Sequence, residues 1–241
     1  MGSIGALLKS FFKAVLYQPL LNLLILFYIY LPGHDFGIAI IVLTLVIRLI
    51  LYPLMAQSIR SQKVLSEIQP KVQELQKKYK DDKERQMKEM MGLYKEAKIN
   101  PFGSFLPLLI QLPILFALYQ VFWRGFQPGS MSNLYSFVPN PGVIDPSFLG
   151  LINLSQASIA LAFIAGITQF IQTKMMTPTV KKDQKSSSQI SDKMQSQMLF
   201  ILPIFTVFIL WKLPAAIGIY WVVTSLFSIV QQYFILKKSP K

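Results

Sequence analysis

Cysteine is absent and histidine occurs once, at His34. The first absence excludes disulfides, thiolate metal sites and a lipid-modified cysteine anchor. The second argues against a histidine metal site. Charge is scarce as well: 15% of residues are charged and only 11 are acidic, against about 25% charged in an average soluble protein. No Ser/His/Asp arrangement, phosphate-cradling glycine loop or intramembrane aspartate pair occurs, so neither an enzyme nor a cofactor or metal site is expected. What the chain has instead is apolarity: 53% hydrophobic residues over 241 positions and a mean hydropathy of +0.45. This is the composition of an integral membrane protein, with one helical bundle as its natural unit.

Five spans are predicted, at about 36–58, 102–123, 148–173, 196–212 and 216–236, each near the roughly 20 residues a bilayer requires. The last two are joined only by a turn at Leu213-Pro214-Ala215. Residues 1–16 are amphipathic, with Lys9 and Lys13 inside the apolar pattern, and read as an interfacial helix. Tyr17–Leu31 reads as a second interfacial segment, being only about 15 residues long before Pro32-Gly33 and so shorter than a span. The organisation is therefore an N-terminal interfacial segment (1–35), a first span (36–58), a cytoplasmic insertion (59–100) and four further spans with a short tail (101–241).

The net charge of +13 is explained by its distribution. Residues 59–100 hold eleven Lys or Arg, 124–147 only Arg124, and 174–195 five; the tail holds Lys237, Lys238 and Lys241. Rich and poor loops alternate, which places the long loop and the C-terminus in the cytoplasm and the N-terminus outside. No direct nucleic-acid function is needed to account for the charge. Within the long loop, Val64, Leu65, Ile68, Val72, Leu75 and Tyr79 recur at helical spacing, as do Met87, Met90, Met91 and Tyr94 after Asp81-Asp82. This pattern predicts an antiparallel helical hairpin with Asp82 capping its second helix. The hairpin is either a wet connector or a docking element for head groups or a partner. Residues 177–192 read as a flexible linker, and 126–147 as an outer loop rich in Pro, Gly, Ser and Asn.

Arg48 is the most informative residue. It lies in the apolar run from Ile38 to Leu54, about 16 Å beyond Gly37 on the helical rise. A guanidinium at that depth costs several kcal/mol unless water or polar groups reach it, and no span offers a carboxylate partner. Thr44 is one helical turn away on the same face. Gln111 sits in the second span, Thr168, Gln169 and Gln172 near the cytoplasmic end of the third, and Tyr220, Trp221, Thr224, Ser225, Ser228, Gln231 and Gln232 along the fifth. Together these predict a polar cavity with Arg48 at its depth, open inward and closed outward. Thr224 and Ser228 carry little weight, because such hydroxyls usually bond their own backbone. An anion transporter is a competing reading, although no internal repeat is evident; a scaffold for other membrane proteins is another.

The stretches YQPLLNLL (17–24), IRLILYPL (47–54), IQPKVQELQKKYKDDKERQMKEMMGLYKEAKINPFGSFLPLLIQLPI (68–114), FIQTKM (170–175), LPIFTVFILWKLPAAIGIYW (202–221) and IVQQYFI (229–235) carry a resemblance over nearly the whole chain. The sequence resembles the YidC/Oxa/Alb membrane-protein insertases, in a short bacterial form. The resemblance implies an all-α polytopic fold: a five-span core, an N-terminal amphipathic helix and a cytoplasmic helical hairpin. It also implies a hydrophilic substrate groove that contains the T-x-x-x-R pair Thr44 and Arg48, with Gln172, Tyr220 and Trp221 at substrate-contact positions. The second and fourth spans correspond to the slide along which a substrate leaves.

By this resemblance the function is membrane insertion and chaperoning of nascent membrane proteins. The lipid bilayer, the ribosome, the signal-recognition machinery and the Sec translocon are the implied partners, and a bacterial inner or plasma membrane is the implied location. Three departures stand out: no large extracytoplasmic domain, no lipoprotein cysteine and a very short tail. The last shifts expected cytoplasmic docking onto the hairpin.

Overall fold

The computed structural model describes residues 2–100, 103, 106–125, 130–176 and 189–238. The start of the span read at 102, part of the outer loop, the linker up to 188 and the end of the tail lie outside these residues. The helices, in chain order, are α1 (Gly2–Phe12), α2 (Gln18–Tyr30), α3 (Phe36–Ile50), α4 (Tyr52–Lys78), α5 (Lys83–Glu96), α6 (Leu106–Gly125), α7 (Ile159–Met176), α8 (Gln189–Leu210) and α9 (Ala215–Lys238). One short antiparallel pair, β1 (Ser147–Phe148) and β2 (Ile152–Asn153), lies in the loop before α7. The chain is thus an all-α polytopic membrane protein.

Three of the expected boundaries are corrected. The two N-terminal segments are one continuous helix, because α1 and α2 are fused by a π-helical turn at Lys13–Tyr17. Pro19 follows at the start of α2. A proline ring clashes with the carbonyl four residues earlier, and the wider π turn accommodates it without a break. Gly5–Tyr30 therefore reaches 26 residues, long and apolar enough to cross a membrane, and shortness no longer argues against a span.

The first span is not straight: α3 and α4 meet at Leu51 with a 65° bend. Pro53 sits in the first turn of α4, where it cannot donate to Leu49 and so breaks the ladder. The third span starts at Ile159, not 148. Leu149 and Gly150 both have positive φ, 52° and 68°, and Leu151 N donates to Phe148 O at 3.0 Å. Both central residues of a type I′ hairpin turn need that conformation, so 147–153 is a β-turn element. The helix of the fourth span, α8, runs unbroken to Leu210.

The insertion at 59–100 forms a helical hairpin, but its first helix is the uninterrupted continuation of the bent span. Asp82 caps α5 by accepting from Arg85 N at 2.9 Å. Gln86 Nε2 reaches Gln76 O at 2.7 Å and Arg85 lies over the Tyr79 ring, tying the two arms together. No residue of α5 is buried.

The bundle is built around α9, which packs against α3, α4, α6, α7 and α8. Glycines permit its closest seams: a side chain at Gly166 of α7 would collide with Val207, and one at Gly218 of α9 would press on Leu161. Small residues at such seams let helix backbones approach where lipid provides no hydrophobic drive. The main apolar core gathers at one end of the bundle. Leu21, Leu24 and Ile25 of α2 meet Phe36, Ile40 and Leu43 of α3, Leu118 and Phe122 of α6, and Ala216, Ile217 and Tyr220 of α9.

The loop over 130–158 covers that end. Asp35 caps α3 through Ile38 N at 2.8 Å and also accepts from Leu149 N at 2.5 Å. Asn22 bonds Tyr135 N and Asn133 O, and the Tyr28 hydroxyl accepts from Asp145 N. Ala215 N and Ala216 N donate to Gln156 O and Leu154 O, pinning the loop to the start of α9.

Candidate functional site: a buried arginine beside a helix bend

The buried polar residues lie mostly at the other end of the bundle. Arg48, Thr224, Ser225, Ser228, Gln231 and Gln232 are all at least nine-tenths buried. On α9 they recur at helical spacing, forming one stripe that faces α3 and the start of α4. Arg48 is 7% exposed, three residues before the bend. Its Nη2 donates to Thr224 O at 3.2 Å and to Ser228 Oγ at 2.9 Å. Its Nε has no partner among the described residues, and neither do Ser225 Oγ and Gln232 Oε1. Gln231 Nε2 donates to Tyr52 O at 3.1 Å, holding the bend against α9. Among the described residues Arg48 forms no ion pair; a salt bridge between Lys63 and Glu67 lies away from it, in the hairpin.

A guanidinium in a low-dielectric site with a spare N–H is a donor prepared for an anion or a strong acceptor. The neighbouring hydroxyl and amide acceptors partly replace water without neutralising the charge. Arrangements of this kind favour an acidic or polar guest over an apolar one.

The remaining predicted site residues fall into separate places. Thr44 is buried on the Arg48 face, but its hydroxyl donates to Ile40 O at 2.7 Å and not toward Arg48. Gln111 of α6 hydrogen-bonds the Tyr220 hydroxyl. Trp221 Nε1 donates to Gln169 Oε1 at 2.7 Å, joining α9 to α7. Gln172 is half-buried on α7 and makes no hydrogen bond among the described residues. Thr168 bonds its own backbone.

Thr224 and Ser228, given little weight in the sequence, are the direct acceptors of Arg48. Their regular four-residue spacing on one face with Gln231 and Gln232 was the available signal. Nothing in the residue types foretold that the Thr224 carbonyl, itself a helix ladder group, would accept from the arginine.

An apolar seal at one end and an uncompensated guanidinium among hydroxyls and amides toward the other define a polytopic membrane protein with a polar intramembrane site. The family model described as 60Kd inner membrane protein matches residues 27–241. The chain is 41% identical over 211 residues to a "Membrane protein insertase YidC" of Clostridium tetani, covering 87% of this chain and 86% of that protein. A protein of the same name from Fusobacterium nucleatum is 34% identical, with 85% and 87% covered. The match to the Geobacter metallireducens protein is 36% identical but covers only 37% of that longer chain.

Among solved structures, "Active YidC insertase crystal structure with the first transmembrane domain resolved" superposes with a TM-score of 0.61 at 25% identity. That superposition covers 90% of this chain and 46% of the other. The chain belongs to the 60Kd inner membrane protein family, that of the YidC insertases, and is a multi-pass bacterial membrane protein.

Proposed function

We propose that this chain is a membrane-protein insertase and chaperone, and that Arg48 handles the polar flank of its substrate. The observation that carries the second part is the buried Arg48 guanidinium with an unpartnered Nε and no ion pair among the described residues. A nascent protein presents a hydrophobic segment with a short hydrophilic tail. The tail enters from the hairpin end of the bundle, where Arg48, Ser225 and Gln232 replace part of its bulk solvation. Gln169, Gln172 and Trp221 flank the route, while Gln111 and Tyr220, bonded to each other beside the apolar core, close its deep end, with Thr44 one helical turn from the arginine. Attraction between Arg48 and an acidic tail is stronger there than in water. The apolar end of the bundle prevents a continuous leak.

The hydrophobic segment then leaves sideways into lipid. Leu108, Leu109, Leu112 and Phe116 of α6, and Phe200, Ile204, Phe205 and Phe208 of α8, are exposed and offer apolar walls. Each methylene that reaches hydrocarbon contributes about 0.8 kcal/mol. The membrane potential adds about 2.3 kcal/mol per negative charge carried outward at 100 mV. The N-terminus lies outside and the C-terminus in the cytoplasm, with α1 and α2 along the outer interface. Supporting that placement, Asn22 and Tyr28 of α2 both bond the loop over 130–158. The ribosome, the signal-recognition machinery and the Sec translocon meet the hairpin side.

The test is insertion by purified protein in liposomes, scored by protease protection of a single-span substrate with either an acidic or a neutral tail. Wild type inserts both. Arg48→Ala loses the acidic-tail substrate selectively. Equal activity of Arg48→Ala on both tails would refute the electrostatic role, and failure of wild type with substrate binding intact would make the chain a chaperone without autonomous insertion.

A further inference from the structure

One cavity of the structure lies away from Arg48. It lies between the N-terminal helix and the far end of α6, has a volume of about 530 Å³ and is open on one side. Leu8, Lys9, Phe12 and Lys13 of α1 and the π turn form one wall, and Gln120 of α6 and Asn133 of the covering loop form the other. We propose that this cavity binds the phosphodiester headgroup of an anionic phospholipid, held between Lys9 and Lys13.

Charge is the first argument. Lys9 and Lys13 are four residues apart on a continuous helix, so they share a face. A like-charge pair at that spacing is destabilising by itself. No Asp or Glu occurs before Asp35 in the chain, and no acidic side chain lines the cavity. Neither lysine has an ion pair among the described residues. An anion seated between the two removes the repulsion and gains two charge-assisted hydrogen bonds. Gln120 and Asn133 line the opposite wall, residue types whose amides suit ester oxygens or headgroup hydroxyls.

The second argument separates a lipid from a free anion. Leu8 belongs both to the cavity and to an exposed apolar row with Leu7, Phe11 and Val15, each at least half exposed. A headgroup in the cavity therefore has hydrocarbon-compatible surface at its mouth, where acyl chains run along α1. Free phosphate would use the lysines and leave that row uncovered. This site does not depend on the insertase reading, since it lies away from Arg48 and involves no substrate.

The experiment is native mass spectrometry of the full chain, delipidated in detergent and titrated with phosphatidylglycerol or with phosphatidylcholine of the same acyl chains. One phosphatidylglycerol per chain is retained about thirtyfold more tightly than phosphatidylcholine, the worth of two lysines beside an anionic surface. Lys9→Gln with Lys13→Gln abolishes the preference, while Lys9→Arg with Lys13→Arg keeps it. Lys212→Gln, at an exposed cation elsewhere, leaves it unchanged. Asn133→Trp, which fills the cavity without altering charge, also abolishes retention. Equal retention of the two lipids, or a preference that survives the double glutamine variant or Asn133→Trp, would overturn the proposal. So would inorganic phosphate that displaces the lipid at equal concentration, which would mark a free-anion site.

Discussion

Replacing Arg48 by methionine separates what the residue does for stability from what it does for substrates. The guanidinium makes two hydrogen bonds, to Thr224 O and Ser228 Oγ, each worth about 1.5–3 kcal/mol for a charged donor. Against this stand an effective desolvation penalty of several kcal/mol for a buried ion and about 1–3 kcal/mol for the unpartnered Nε. The terms nearly cancel. Removing the arginine also strands neither acceptor, because Ser228 Oγ independently donates to Thr224 O at 2.9 Å. Methionine fills a similar length with apolar atoms. Such replacements of buried ionic groups are often neutral or stabilising by roughly 1–4 kcal/mol.

The thermal midpoint of Arg48→Met in nanodiscs is therefore unchanged or raised. Insertion behaves oppositely. Losing one charge-assisted hydrogen bond to an acidic tail costs about 1.5–3 kcal/mol, which is roughly 10- to 150-fold in insertion. The two assays are thermal unfolding followed by intrinsic tryptophan fluorescence and protease protection of an acidic-tail substrate. A lowered midpoint with undiminished insertion would refute the reasoning and make Arg48 a structural brace.

Two further outcomes test the frame around the site. Asp35→Ala removes the α3 cap and the tie to Leu149 N; a loss of about 1–2 kcal/mol is expected, read as a lowered midpoint and faster proteolysis within 130–158. Gly166→Val forces a side chain into Val207 and the Pro203 carbonyl, so α8 separates from α7 at a cost of about 1–3 kcal/mol; crosslinking between cysteines introduced at exposed positions 163 and 204 would fall, and unchanged crosslinking would show that the seam tolerates the added bulk.

Composition and periodicity alone determined that the chain is helical and membrane-embedded, because scarce charge and long apolar runs leave no other way to satisfy a backbone in lipid. The Asp82 cap was readable from its position before an amphipathic run, and Arg48 stood out because an ion among apolar residues has no bland explanation; the alternation of basic loops carries the proposed orientation. Other features depended on local backbone geometry that residue type does not announce, or on contacts between distant segments. The 65° bend needed the loss of the Pro53 donor to be combined with Gln231 holding Tyr52 O from α9. The shortened third span needed two left-handed residues at Leu149 and Gly150, one of them a leucine that no turn preference predicts. The fusion of α1 and α2 depended on a π turn, a local register change invisible to hydropathy. The partners of Arg48 are a carbonyl and a hydroxyl 176 and 180 residues away. Residue type sets what a side chain can do, but only packing decides which polar groups meet, because the cost of burying them unpaired is settled between helices rather than within one.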